Sequence, residues 1–171
     1  MRSIMKKITI KQTIVFISVI ILGIVLDQLT KMLAVMHLAP ISTLPIIEGV
    51  FHFTYHENTG MAFSLLNEEG QRWIFILISA ITIVALSAYL FLGRAQNRIY
   101  SSAICLIISG GIGNMIDRLA LGYVVDFVDV RLINFAVFNI ADSLVTVGAG
   151  ILIAALIIDI VKEARAGKAE K

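Results

Sequence analysis

The chain has 171 residues, of which 58% are hydrophobic and only 15% are charged, and its formal net charge at pH 7 is +2. Because about 25% of the residues of an ordinary soluble domain are charged, this composition excludes a soluble protein and indicates an integral membrane protein. Apolar runs occupy most of the sequence and leave no room for a soluble catalytic domain, so any chemistry must be built from helix ends and connecting segments.

Four apolar runs are long enough to cross a hydrocarbon core about 30 Å thick as helices. They lie at approximately 14–36, 73–93, 99–116 and 140–160. The first run is too long for the apolar region of a cleavable signal peptide and contains Asp27 and Lys31, so we predict a permanent span. Residues 1–171 are expected to form a single membrane domain with external segments at about 37–72 and 117–139.

The distribution of basic residues predicts the orientation of the chain. Most lysines and arginines lie near the two termini or in the short loop between the second and third spans. These are Arg2, Lys6, Lys7, Lys11, Arg94, Arg98, Lys162, Arg165, Lys168 and Lys171. The positive-inside rule therefore predicts that both termini are cytoplasmic and that the two external segments lie at the outer face.

The first external segment has the pattern of a strand. Phe51, Phe53 and Tyr55 alternate with polar residues, and the sequence Asn-Thr-Gly at 58–60 is typical of a turn. We therefore predict a small sheet at the outer interface. Its histidines, His52 and His56, are not part of a His-Glu-x-x-His helix, so they are interpreted as residues of this sheet rather than as zinc ligands.

Five aspartates lie at the predicted outer ends of the spans or just beyond them. They are Asp27, Asp117, Asp126, Asp129 and Asp142. An ionised carboxylate in hydrocarbon costs about 3 kcal/mol on insertion scales. Several carboxylates at one membrane depth therefore indicate a functional site, and chemistry on a substrate in the membrane is the favoured interpretation.

Some of these aspartates have nearby cations. Asp27 and Lys31 are four residues apart on the first predicted helix, so they share a face and are expected to pair. Asp117 is followed by Arg118, and we expect these two residues to form an ion pair at the end of the third helix. The single cysteine, Cys105, lies in the same span and is interpreted as a small buried residue.

The third span also ends in small and polar residues. Its glycines are expected to allow close approach of neighbouring helices. Gly110, Asn114 and Arg118 recur every four residues and are predicted to line one face. Because polar groups at this depth must contact protein or water, that face should point into the bundle.

The remaining carboxylates suggest acid–base chemistry. Asn139 is a predicted N-cap of the fourth helix, and the helix N-terminus favours an ionised Asp142. Asp126 is predicted to lie in a loop among large apolar residues, where desolvation raises the pKa of a carboxyl group. Two carboxylates with different environments can act as base and acid and hydrolyse a peptide bond through a water molecule.

The residue pattern alone leaves the choice of the catalytic pair open. The pairs Asp126–Asp142, Asp129–Asp142 and Asp117–Asp126 are all compatible with the predicted topology. A proton-relay or transport protein and a non-enzymatic assembly factor are alternative functions. Serine catalysis is disfavoured because no histidine lies in the last three spans.

Five sequence blocks stand out at residues 27–31, 58–63, 110–118, 124–127 and 138–142. Together, and in this order, they resemble the lipoprotein signal peptidases, also called signal peptidase II. The resemblance covers nearly the whole chain and implies a bacterial aspartic endopeptidase with four transmembrane helices. A small β-sheet and a short helix at the outer membrane surface are expected to accompany this all-α bundle.

The resemblance also implies roles for individual residues and partners. Asp126 and Asp142 match the catalytic dyad of the family. The residues expected to bind substrate or support the site are Asp27, Lys31, Asn58, Gly60, Gly110, Asn114, Arg118, Asn139 and Ala141. The implied substrates are prolipoproteins carrying diacylglycerol on the cysteine that follows the cleavage site.

No metal, organic cofactor or nucleic acid is implied. The cyclic peptide globomycin is an expected inhibitor, membrane lipid is the expected environment, and a monomer in the bacterial cytoplasmic membrane is the expected state.

Overall fold

The computed structural model describes residues 8–60, 68–93, 95 and 97–169. Its long helices are α1 (Ile10–His37), α2 (Glu68–Phe91), α3 (Arg98–Ala120) and α4 (Ile140–Ala169). Each is long and apolar enough to cross a membrane, which confirms the four predicted spans. Polar residues extend several of these helices beyond the apolar runs, so α2 begins at Glu68 and α3 continues to Ala120.

Three strands follow the helix ends at one side of the bundle. They are β1 (Thr43–Ile47), β2 (Phe51–Asn58) and β3 (Val124–Asp129), and they form an antiparallel sheet in the order β1-β2-β3. The strand predicted from the alternation at Phe51–Tyr55 is thus β2. A three-residue 3₁₀ helix, Arg131–Ile133, follows β3. Residues 61–63 of the second motif block lie outside the described residues.

The placement of Asp126 corrects one prediction. Asp126 was expected in a loop, whereas it lies within β3, where it is paired in register with His56. Val125 and Phe127, on either side of it in sequence, pack with Ala34 of α1 and with Leu38, the C-cap of that helix. Because successive side chains of a strand point to opposite faces, this packing directs Asp126 away from α1.

Helix α3 is the centre of the bundle and packs against α1, α2 and α4. Gly110 and Gly113 allow this close packing: a Cβ at Gly110 would collide with the backbone carbonyl of Ala141, and one at Gly113 with the carboxylate of Asp27. The expectation that the glycines of α3 permit close helix approach is therefore confirmed for these two positions. A second apolar cluster contains Cys105, which is 1% exposed.

Candidate active site

Asp126 is fully buried at the side of the sheet that faces the start of α4. Its Oδ1 accepts a hydrogen bond from Asn139 Nδ2 at 2.7 Å, and its Oδ2 accepts one from Asn58 Nδ2 at 2.9 Å. Burial raises the pKa of Asp126 to about 6, and the negative charge of Asp142 contributes in the same direction, while the two amide donors oppose the shift. Asp126 can therefore take up and release a proton close to neutral pH.

Asn58 is held in place by the turn that follows β2. Its side-chain oxygen accepts a hydrogen bond from the backbone N–H of Gly60 at 2.9 Å. Gly60 has φ +80°, a left-handed conformation that glycine adopts without strain. Since the oxygen of Asn58 is engaged in this turn, its amide nitrogen is directed at Asp126.

Asp142 lies in the first turn of α4 and forms a reciprocal cap with Asn139. The backbone N–H of Asp142 donates to the side-chain oxygen of Asn139 at 2.9 Å, and Asp142 Oδ2 accepts from the backbone N–H of Asn139 at 3.2 Å. This arrangement is a capping box, and it confirms that Asn139 is the N-cap. The other oxygen of Asp142, Oδ1, accepts from Asn114 Nδ2 at 2.8 Å.

Asn139 therefore contacts both carboxylates. Its amide nitrogen donates to Asp126, and its backbone N–H and side-chain oxygen hold Asp142. The same amide also reaches the side-chain oxygen of Asn114 at 3.1 Å. Since Asn139 is fully buried, this network fixes β3 and α4 relative to each other and brings Asp126 and Asp142 to one place.

Lys31 contacts this network through Asn114 and is almost fully buried. Its ammonium group donates to the side-chain oxygen of Asn114 at 2.9 Å and forms ion pairs with Asp27 at 2.9 Å and Asp117 at 3.0 Å. The predicted pair of Asp27 and Lys31 is thus present, but it belongs to a larger cluster. With its oxygen bound to Lys31, Asn114 presents its nitrogen to Asp142.

The expected ion pair of Asp117 and Arg118 is wrong. Adjacent residues on a helix do not face each other, so Asp117 points to Lys31 of α1 while Arg118 stacks on the ring of Phe75 in α2 at 5.0 Å. Arg118 also donates to the backbone carbonyl of Asn114 at 3.4 Å, and its charge acts on Asp142 and Asp126.

Gln28 is a further polar member of the cluster that the sequence analysis did not single out. Its amide nitrogen donates to Asp117 at 3.0 Å, to Asp27 at 3.2 Å and to the carbonyl of Gly113 at 3.3 Å. Its position beside Asp27 within a span could have indicated this role, because a polar side chain in a span must contact protein or water.

Asp129 lies apart from the other carboxylates. It accepts hydrogen bonds from Thr54 Oγ1 at 2.7 Å and Arg131 Nε at 2.8 Å. Although burial opposes this, these two donors and the charge of Arg131 lower the pKa of Asp129. It is three residues from Asp126 on one strand, so the two side chains point to opposite faces.

A cleft of about 490 Å³ lies beside Asp142, and Asn58, which donates to the buried Asp126, also lines it. Asn58 and Asp142 line it on the polar side, and the segment 135–138 forms an apolar wall. Ser143, Thr146 and Val147 extend the cleft by about one turn along α4.

Comparison with known proteins identifies the family. Residues 19–158 match the family described as Signal peptidase (SPase) II. The lipoprotein signal peptidase of Halalkalibacterium halodurans is 39% identical over 86% of this chain and 92% of its own length. That of Clostridioides difficile is 47% identical over 78% of this chain and 88% of its own.

Solved structures of bacterial membrane enzymes have a similar fold. A bacterial membrane enzyme determined by the in meso method at 1.9 Å resolution is similar to this chain with a TM-score of 0.77 and 31% sequence identity. The similarity covers 90% of this chain and 97% of the solved one. Another, at 2.3 Å resolution, has a TM-score of 0.75 and 32% identity, covering 92% and 94% of the two chains. The four membrane-spanning helices, the three-stranded sheet and the sequence together show that this chain belongs to the signal peptidase II family of membrane peptidases.

Proposed function

We propose that this chain cleaves diacylglyceryl-modified prolipoproteins just before the lipidated cysteine, with Asp126 and Asp142 as its catalytic dyad. The family membership supports the substrate class. The observation that carries the choice of residues is the position of Asn139, which hydrogen-bonds both Asp126 and Asp142 beside the cleft. The two carboxylates come from β3 and α4, so folding brings them together.

The environments of the two aspartates suit different roles. Asp142 is the base that takes a proton from water, because its side chain lines the cleft. Asp126 is the acid that protonates the leaving amine, because burial raises its pKa to about 6. Asn58, Asn114 and Asn139 position the two groups.

The other three of the five aspartates singled out in the sequence have partners that keep them from this role. Asp27 and Asp117 both neutralise Lys31, and Asp129 is bound by Arg131. They are therefore assigned to support the fold. Asp27 pairs with Lys31, Lys31 binds Asn114, and Asn114 in turn holds Asp142. Gly110 and Ala141 provide the close contact between α3 and α4, and Gly60 and Arg118 flank the dyad.

The cleft along α4 suits a substrate that approaches within the bilayer. Its apolar wall includes Phe135 and Phe138, and its volume of about 490 Å³ is in the range of ligand-binding pockets. The proposed reaction uses water and the two carboxylates, and one chain supplies both carboxylates. We therefore expect a monomer to be active without a metal or cofactor. Inhibition by globomycin is expected from the family resemblance.

A cleavage assay tests this function. Purified wild-type protein should cleave a diacylglyceryl-modified precursor and leave the unmodified precursor intact. Asp126→Asn and Asp142→Asn should each lose at least about 100-fold in kcat, the lower range for a general acid or base. Asp129→Asn, from the same strand, is the control and should retain activity. Full activity of either dyad variant would refute the assignment.

The orientation is a separate part of the proposal. The basic residues near the termini support a cytoplasmic position for both ends, with the site at the outer face. In a Cys105→Ala background, Glu57→Cys in β2 should react with a membrane-impermeant maleimide in intact cells, whereas Lys162→Cys in α4 should react only after lysis. The reverse result would overturn this orientation.

A further inference from the structure

A second cavity lies at the opposite end of the bundle from the dyad, between the N-terminal parts of α1 and α3. Its volume is about 380 Å³. The α1 wall is formed by Lys11, Gln12, Val15, Phe16 and Val19, and the α3 wall by Arg98, Ser101, Ser102 and Cys105. None of these residues belongs to the polar network around Asp126 and Asp142.

The two cations lie at the mouth of this cavity, one on each wall. Lys11 and Arg98 are both exposed, and neither has an ion-pair partner within the described part of the chain. Lys11 and Arg98 both lie in the first turn of their helices. A capping box of Thr9 and Gln12 starts α1, and the N-cap Asn97 starts α3. Two positive charges therefore face one opening.

The deeper part of the cavity is apolar. Val19 is eight residues beyond Lys11 and Cys105 is seven beyond Arg98, which at the rise of an α-helix is about 10–12 Å along the membrane normal. Phe16 forms a wall between these levels and is held edge-to-face against Phe91 at 6.3 Å. The cavity thus changes from cationic to apolar over the distance that separates a lipid phosphate from its upper acyl chain.

We propose that this cavity is a binding site for an anionic phospholipid. The phosphate lies between Lys11 and Arg98, Ser102 offers it a hydroxyl donor, and an acyl chain runs inward along Val15, Phe16 and Val19. Basic pockets between transmembrane helices are suited to anionic head groups. The N-terminal residues 1–7 are a poor alternative occupant because they carry three basic residues and no acidic one.

Native mass spectrometry of the full-length protein in a neutral detergent tests the proposal. Dioleoyl phosphatidylglycerol should bind one molecule per chain in preference to dioleoyl phosphatidylcholine. Because each basic residue contributes about fivefold to anionic lipid binding, Lys11→Gln/Arg98→Gln should weaken phosphatidylglycerol binding roughly thirtyfold. Lys162→Gln/Arg165→Gln removes the same charge from the exposed end of α4 and should leave binding unchanged.

A second variant tests the location without changing charge. Ser102→Trp fills the cavity from an exposed position and should also abolish the preference for phosphatidylglycerol. Glycerol phosphate, the head group alone, should not compete. Three results would overturn the proposal: equal loss in the α4 control, retained preference in Ser102→Trp, or competition by glycerol phosphate. Cleavage of a detergent-solubilised precursor by the charge variants should stay at the wild-type rate, which separates this site from the peptidase function.

Discussion

The carboxylate of Asp27 accepts a hydrogen bond from the backbone N–H of Ala141 at 2.9 Å. Ala141 lies in the first turn of α4, where backbone N–H groups have no partner within the helix. Asp27 of α1 therefore satisfies the start of α4 from outside. Because the next residue along α4 is Asp142, this bond links the ion-pair cluster around Lys31 to the position of a proposed catalytic carboxylate.

The first prediction concerns Lys31. Replacing it with Met leaves Asp27 and Asp117 buried without their cation, and removal of one partner from a buried ion pair costs about 3–5 kcal/mol. Lys31→Met should therefore lower the melting temperature in detergent and reduce cleavage. The matched control is Asp27→Asn/Lys31→Met/Asp117→Asn, in which no charge is left uncompensated. It should recover most of the stability, and a triple variant no more stable than Lys31→Met would contradict an electrostatic origin.

The second prediction concerns the contact of α3 with α4. A Cβ at Gly110 would collide with the carbonyl of Ala141 and lie 2.8 Å from Val145 Cγ2. Gly110→Ala should push α4 away, displace Asp142 and reduce kcat together with stability. Gly150→Ala in the exposed part of α4 meets nothing within 4 Å. It should be neutral or stabilising by up to about 1 kcal/mol because alanine favours the helix. Equal effects at the two glycines would show that helix propensity alone matters.

The spans could be predicted from sequence because hydropathy is a local property. Strand β1 could not, since it has only five residues and includes Pro45. Proline is tolerated there because β1 is an edge strand that pairs with β2 alone. Strand β3 was missed because its pairing with β2 joins segments far apart in sequence, and no pattern within Val124–Asp129 reveals the partner.

Within the site, contacts between residues of one helix could be predicted, whereas contacts between different elements could not. Helical spacing correctly indicated that Asp27 meets Lys31, since both lie on one helix. It could not indicate that Asp117 meets the same lysine, because that contact depends on how α1 packs against α3. Strand register likewise separates Asp126 from Asp129, a distinction that an assumed loop could not provide.

The third prediction separates the two contributions of Asn139. Asn139→Ser retains a hydroxyl acceptor for the N-cap but loses the amide that reaches Asp126. It should lose most of its kcat, and it should be less stable than wild type by about 1–3 kcal/mol because the buried Asp126 loses a hydrogen-bond donor. Asn139→Ala loses the cap as well and should be less stable than Asn139→Ser by about a further 1 kcal/mol. Thermal unfolding and cleavage rates measured on both variants distinguish the N-cap contribution of Asn139 from its effect on Asp126. Wild-type kcat in Asn139→Ser would show that the amide does not position Asp126.

The fourth prediction uses Asn58 to shift the pH–rate profile. Its amide lowers the pKa of Asp126 by stabilising the carboxylate. If Asp126 is the general acid, kcat/KM should fall as pH rises through about 6, where this group loses its proton. Asn58→Ala removes a stabilising donor, so its alkaline limb should move to higher pH. Thr54→Ala on the same strand contacts Asp129 instead and should leave the limb in place. A limb that moves to lower pH in Asn58→Ala would contradict the role of Asp126 as acid.

The fifth prediction concerns stability rather than rate. Burial, aided by the charge of Asp142, raises the pKa of Asp126 to about 6 in the folded protein, compared with about 3.9 in an unfolded chain. The folded state thus binds this proton more tightly, so the stabilisation is complete below the unfolded pKa and is lost as pH rises through about 6. Two pH units correspond to about 3 kcal/mol. Asp126→Asn should therefore become more stable relative to wild type between pH 4 and pH 7.

Asp129 provides a control of opposite sign on the same strand. Hydrogen bonds from Thr54 and Arg131 lower its pKa against the effect of burial. Its carboxylate therefore stabilises the fold above the unfolded pKa, and this contribution is lost as pH falls through the lower folded value. Asp129→Asn should lose stability relative to wild type as pH rises through the range just below about 4, and the difference should then change little up to pH 7. Unfolding of all three proteins in one detergent, at pH values from below 4 up to 7, measures both trends. If the two variants changed in the same direction, the different environments of Asp126 and Asp129 would not be the cause.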